Sequence, residues 1–413
     1  MTAFWIEAAA FLLRWLHVVA AIAWIGESFY FVALDRGLKP AKGSAPGLYG
    51  ESWSVHGGGF YLKQKYLPAP AELPSELHWS KWKSYTTWMS GFALLAITYL
   101  WSPQMYLIDR GVADLTAESA IAIAIAFLVL TWFLYDLMCS VVGFRDRLLG
   151  PLVALLTLAL CYVATHLFAG RAAFLLVGGA LATIMSANVF FVIIPGQKRI
   201  VAALTRGEAP DPLDGLRGKQ RSVHNTYFTL PVVFAMLSTH YGTAYASEYN
   251  WAVLALAMAA AAMIRQFFVV WHSGERAWGL LGAGAALLFA LLYWLAPSPR
   301  AEVEIIAPPV GTMPDGSPSP TLVLPDVFGD KPDTAAIFPI IQKHCIGCHS
   351  AHPKLMASAP KGMQYDTPEL VDTYAELIHK QAAELKVMPP GNMTQMTAGE
   401  RAAIGRWFAA RKK

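Results

Sequence analysis

Apolar runs of about twenty residues recur along this chain, among them IAIAIAFLVLTWFLYDLM at 121–138 and LALAMAAAAMIRQFFVV at 254–270. A run of that length crosses the hydrocarbon core of a bilayer as a helix. Lipid offers backbone N–H and C=O groups no water, so a helix is the one local structure that satisfies them within a single segment. The composition agrees: of 413 residues, 55% are hydrophobic and 15% charged. The pattern predicts an all-α fold, an eight-helix transmembrane bundle with spans near 8–34, 84–102, 119–139, 149–168, 172–195, 226–243, 251–271 and 277–296. Residues 4–34 are too long for a signal-peptide core and lack a small-residue cleavage site, so they read as the first span.

Cytoplasmic loops carry an excess of Lys and Arg. One set of loops holds sixteen: Arg36, Lys39, Lys42, Lys63, Lys65, Lys81 and Lys83; Arg145 and Arg147; Lys198, Arg199, Arg206, Arg217, Lys219 and Arg221; and Arg276. The other set holds two, Arg110 and Arg171. This bias places the amino terminus, and all that follows residue 296, on the periplasmic side of a bacterial inner membrane. The net charge of +4 is modest and spread over short loops, which gives nucleic-acid binding no support.

The domain reading is 1–296 membrane domain, 297–328 periplasmic linker and 329–413 soluble domain. The stretch APSPRAEVEIIAPPVGTMPDGSPSPTLVLP at 296–325 has the composition of an extended tether. Beyond it, TAGE at 397–400 reads as a capping box opening a last helix, with Ile404, Trp407 and Phe408 on its apolar face.

CIGCH at 345–349 has the spacing of a c-type haem attachment site. Cys345 and Cys348 can each form a thioether to a vinyl group, and His349 then becomes the proximal iron ligand. A structural zinc pair or a redox dithiol are the bland alternatives; zinc needs two further ligands, and His344, His352 and His379 show no paired spacing. The other cysteines, Cys139 and Cys161, lie in spans and read as apolar filler. Met/His ligation suits electron transfer, so a second ligand is expected among Met356, Met363, Met388, Met393 and Met396. Met388, in VMPPGNM, is the first choice and Met393 the second.

Ionisable side chains inside a bilayer are costly and mark function by default. His17, His166 and His240 fall near the outer face. Their bland reading is interfacial histidines; together they would also suit a haem b held between facing helices. Nearer the inner face fall Glu27, Asp136, Asn188, His224, Arg265 and His272. Arg265 either snorkels or binds an anion. The inner loop carries WSVHGGGFY and LHWSKWKSYTTW, read either as a close-approach ligand loop or as an interfacial hairpin with aromatic anchors.

These stretches carry a resemblance. LRWLHVVAAIAWIGESFYF, the two loop segments, eight spans, CIGCH and the ending MPPGNMTQMTAGERAAIGRWF are similar to the membrane-bound urate oxidases (urate hydroxylases) fused to cytochrome c. The resemblance implies oxidation of urate to 5-hydroxyisourate in purine catabolism. Electrons would leave through one covalent haem c to a soluble cytochrome c or cytochrome c oxidase. Urate is a planar anion, which suits a guanidinium and an aromatic face. The expected inner-side site is Arg265, His272, His224 and Glu27. Two rival readings are a quinol-oxidising cytochrome subunit and a copper-handling membrane protein.

Overall fold

The computed structural model describes residues 2–41, 46–296, 332–356 and 358–411. Contacts within the chain divide it into one unit at Ala8–Leu291 and a second comprising Met1–Glu7 and Leu292–Lys413. The proline-rich linker expected at 297–328 lies outside the described residues, as does Lys42.

Long helices dominate the described residues up to 295. They are α1 (Thr2–Gly37), α2 (Trp82–Leu95, continued by a π-helical turn at Ala96–Leu100), α3 (Ala117–Val142), α4 (Asp146–Leu167), α5 (Gly170–Thr205), α6 (Pro212–Leu237), α7 (Asn250–Trp271) and α8 (Trp278–Leu295). Six of them, α1, α3, α4, α5, α7 and α8, are long and apolar enough to cross a membrane. The other two expected spans are helical but more polar or shorter. On α2, Ser84, Thr87 and Ser90 are buried. On α6 the apolar stretch starts only after a polar amino-terminal half and ends at Leu237, giving way to a 3-10 turn at Ser238–His240. Several apolar helices are compatible with a multi-pass membrane protein.

Local chemistry sets the helix ends. Thr116 accepts from Ser119 N–H at the start of α3, and Asp211 accepts from Leu213 N–H, with Pro212 opening α6. Gly143, at φ +65°, ends α3 in a conformation that disfavours a β-carbon. The core centres on α5, whose membrane window is 56% buried, and α7, at 50%; α1 is 6% buried and presents Phe11, Trp15, Val19 and Ile22 outward. An apolar helix so exposed is compatible with a membrane-facing one. Gly178 of α5 lets α6 approach, since a β-carbon there would fall 2.7 Å from that of Ala235.

Two expectations change. The segment 196–225 expected as a loop is mostly helix, because α5 runs on through Thr205 and α6 begins at Pro212. The Arg199 guanidinium ties the two ends together by forking onto Asp214 at 2.9 and 2.5 Å. The unit is also not all-α. β1 (Leu48–His56) and β2 (Gly59–Tyr66) pair antiparallel across the two glycines Gly57 and Gly58, both at positive φ, as a two-residue hairpin turn requires. Aromatic and β-branched residues alternating with polar ones, Trp53, Val55, Phe60 and Leu62 against Ser52, Ser54, Tyr61 and Lys63, favour this ribbon over a helix.

In the second unit a buried cluster of Ile337, Ile340, Ile341, Val371, Ile378, Ile404 and Trp407 holds short helices together. Helix Ala398–Arg411 opens with the expected capping box: Glu400 N–H donates to Thr397 Oγ1 at 3.1 Å and Thr397 N–H donates to Glu400 Oε2 at 2.7 Å. Its Ile404, Trp407 and Phe408 are buried.

Candidate functional site

Helix Thr334–His344 delivers its carboxyl end to Cys345, and the chain turns tightly so that His349 N–H bonds the Cys345 carbonyl at 2.9 Å. Both thiols are free, and burial pushes Cys345 up to about 12 and raises Cys348 as well. Among the described residues there is no group of three or more His, Cys, Asp or Glu side chains that could hold a metal ion. His349 is buried against Tyr365, ring on ring at 4.6 Å, and its Nδ1 lies 3.1 Å from the Met363 carbonyl. Donation from Nδ1 to that carbonyl leaves Nε2 as the basic nitrogen, the arrangement an axial imidazole needs. Two thiols at the right spacing and an oriented imidazole fit a covalently held haem.

The methionines sort by packing. Met396 is buried in the core and Met363 packs against it, whereas Met388 and Met393 are only partly buried. Buried Arg401 fixes the loop that carries both. Its Nη1 donates to the carbonyls of Ala382 and Met388 (2.5 and 2.7 Å) and its Nη2 to Asn392 Oδ1 at 3.0 Å. Asn392 in turn bridges Met396, accepting from its N–H and donating to its carbonyl. Buried His344 joins the attachment segment to the same loop through Thr394 (2.6 Å) and Glu400 (3.1 Å). None of Arg401, Asn392 or Thr394 was a sequence candidate, because their partners are backbone atoms or residues distant in the chain.

In the helical unit Glu27 and His224 each have their own surroundings, apart from Arg265 and His272, which share one helix. Glu27 pairs with Lys83 at 2.7 Å and accepts from Ser80. His224 Nδ1 lies 2.7 Å from the Tyr135 hydroxyl, and Asn188 donates both to that hydroxyl (3.3 Å) and to Asn225 (2.8 Å). Arg221 lies over the Tyr135 ring at 4.9 Å and donates to Asp136 at 2.6 Å. Three sequence candidates, Asp136, Asn188 and His224, thus meet in one network around Tyr135, Arg221 and Asn225. Asn188 begins a π-helical turn, Asn188–Ile193, the kind of break that aims a side chain at a partner.

Arg265 stands elsewhere. It is 2% exposed, its guanidinium sits 3.8 Å from the centroid of Phe29, and its Nε and Nη2 have no hydrogen-bond partner among the described residues. The neighbouring Gln266 side chain is bonded by the Tyr227 hydroxyl. His272 caps the same helix; burial and the Arg265 charge hold its imidazole below the usual range. Gln266 was not among the sequence candidates, although its place beside Arg265 inside an apolar run is a signal that could have found it; nothing in the sequence singles out Phe29 or Tyr227.

The three outer histidines are not joined to one another by any recorded hydrogen bond or ring contact. His17 Nδ1 lies 2.9 Å from the Thr87 carbonyl of α2, and its ring occupies the space a Gly91 side chain would fill. His166 stacks on Tyr162 of its own helix at 4.1 Å, and His240 is exposed.

A family model described as urate oxidase N-terminal matches residues 3–296. The chain belongs to that family. The match spans the long-helix part and stops where the described helices of that part end, so the family reading attaches to the Arg265 and Tyr135 clusters and leaves the CIGCH unit to its own chemistry. No curated protein and no solved structure matches the chain. Membership of the family supports a urate-related oxidoreductase.

Proposed function

We propose that the long-helix unit oxidises urate to 5-hydroxyisourate and that the electrons leave through a haem c on the second unit. Urate monoanion and water give 5-hydroxyisourate, one proton and two electrons. The observation that carries the site is the uncompensated charge of Arg265. A buried guanidinium without a partner is strongly disfavoured, and here two of its donors are unused. Arg221, another buried arginine of this unit, already has Asp136. An anion completing Arg265 would supply the missing charge and accept its donors, with the adjacent Gln266 amide and Tyr227 hydroxyl placed for the polar edge of a planar ring.

On the second unit Cys345, Cys348 and His349 would hold the haem, with Met388 as the favoured sixth ligand and Met393 as the other choice. When bound, that group accepts single electrons and passes them to a soluble cytochrome c or a cytochrome c oxidase. The chain's own contribution is to keep His349 in one tautomer through Met363 and to fix the methionine loop through Arg401. The basic-residue bias supports an inner-membrane orientation with both termini in the periplasm.

The test is urate-dependent reduction of the haem in purified membranes, compared with a quinol. Arg265→Gln should lower kcat/KM for urate by ~100-fold or more, as loss of an anion-binding donor set does, and Arg265→Lys should recover part of it. The haem spectrum should stay unchanged in both variants. Wild-type turnover in Arg265→Gln would remove the arginine from the site.

A further inference from the structure

The hairpin β1–β2 has two unlike faces. Register pairs Trp53 with Leu62 and Val55 with Phe60, and these four side chains share one face. All are exposed, at 63, 44, 67 and 77% respectively. The opposite face holds Ser52, Ser54, Tyr61, Lys63 and Lys65. Lys63 lies over the Tyr30 ring at 4.9 Å and Lys65 pairs with Asp35 at 2.7 Å, so this face is turned to α1.

Those two contacts also give the ribbon a direction. Lys63 to Lys65 spans about 7 Å of strand, and Tyr30 to Asp35 spans about 7.5 Å of helix. The strand therefore runs alongside α1, with its tip pointing toward the helix amino terminus. From Lys63 to Gly59 is about 13 Å more of strand, while Glu27 lies only about 4.5 Å up the helix from Tyr30. The tip passes by roughly 9 Å the Glu27–Lys83 pair, which sits at the start of α2 and bounds the 15–26 stretch of α1 that carries no Asp, Glu, Lys or Arg.

We infer that the hairpin is a membrane-dipping element whose Trp53–Val55–Phe60–Leu62 face rests in the headgroup–acyl boundary of the bilayer that α1 enters. An isolated two-stranded ribbon is marginal in water and needs an apolar partner. No described element covers this face. The hairpin lies along α1, whose Phe11, Trp15, Val19 and Ile22 are exposed, the kind of apolar helix surface that a bilayer covers. The overhang of roughly 9 Å matches the depth of interfacial anchoring. It also stays shallow enough for the ribbon's open edges to reach headgroups and water, which deeper hydrocarbon would deny them.

The experiment uses the full chain in lipid nanodiscs. Val55→Cys and Phe60→Cys, each carrying an environment-sensitive NBD label, are compared with Glu72→Cys in the neighbouring exposed loop. Labels at 55 and 60 should emit blue-shifted light, be quenched by phospholipid with a doxyl group high on its acyl chain, and resist aqueous iodide; the label at 72 should do the reverse. A second measurement needs no substitution: phospholipid with a photoactivatable acyl chain should leave adducts within 53–62 of the wild-type chain. Iodide quenching at 55 and 60, or no adducts in that segment, overturns the inference. Shielding from both quenchers together with cross-linking between chains would assign the face to a second copy and equally overturn it.

Discussion

Arg265 and Arg221 are both buried arginines on neighbouring helices of the same unit, yet their surroundings give them different work. Arg221 has a carboxylate partner, Asp136, and two aromatic faces, with only its Nη1 lacking a hydrogen-bond partner among the described residues. Arg265 has one aromatic face and unused donors, which is why a substrate anion is argued there. A third buried arginine, Arg401, binds backbone: it holds the Met388 carbonyl and the Asn392 side chain. Arg401→Gln should leave those acceptors without a donor, at about 1–3 kcal/mol for each buried group. The covalent haem should persist in that variant. Its methionine-to-iron charge-transfer band should weaken and its reduction potential fall, because loss of Met ligation lowers the potential. An unchanged band and potential would mean that Arg401 supports the fold alone.

At the scale of elements, the last helix of the second unit depends on its first turn. Thr397→Ala should cost about 1 kcal/mol of unfolding free energy, the usual worth of a cap, measured by chemical denaturation. Glu400 is a separate handle. Burial alone would raise its carboxyl, but hydrogen bonds from the Thr397 N–H, His344, Lys343 and the Thr397 hydroxyl outweigh this and bring it down to about 2. A folded value below the unfolded one means the stabilisation is present above about pH 4.5 and is lost as pH falls toward 2. Glu400→Gln should flatten the pH dependence of stability in that window; an unaltered slope would contradict the assignment. Between α5 and α6 the close approach at Gly178 is the weak point. Gly178→Ala should destabilise the unit by about 1–3 kcal/mol through overpacking, seen as a lower melting temperature in detergent.

At the scale of the molecule, the proposed reaction needs an anion site in the long-helix unit and a one-electron carrier on the second unit. A pyridine haemochrome spectrum of the purified chain should show one c-type haem, abolished by Cys345→Ser with Cys348→Ser. A b-type signal in the same spectrum, lost on His17→Ala, would give the His17 imidazole, held by Thr87 with its other nitrogen available, an axial role. Absence of any b-type signal would leave it as a packing residue between α1 and α2. An epitope at the carboxyl terminus should be reached by antibody on intact spheroplasts, as the basic-residue bias requires.

Period and composition carry most of the architecture. Six apolar stretches form helices long enough to cross a bilayer because hydrocarbon permits little else, and the Thr397–Glu400 capping box is a contact between residues three apart. CIGCH is equally local, a motif read from spacing alone. The sequence also flagged Arg265, Asp136, Asn188 and His224, since a polar group inside an apolar run is visible without coordinates. Their partners were not visible. Phe29 under Arg265, Tyr135 beside His224 and Asp136 beside Arg221 come from helices far apart in the chain, and Asn392 meets Arg401 only because a loop folds back on the last helix. That the segment 48–66 forms a ribbon with one apolar face and one that contacts α1 came only from its cross-strand register and its contacts. Local interactions are encoded by neighbours in sequence; which buried charge is paired and which waits for a ligand depends on distances between helices, and packing alone sets those.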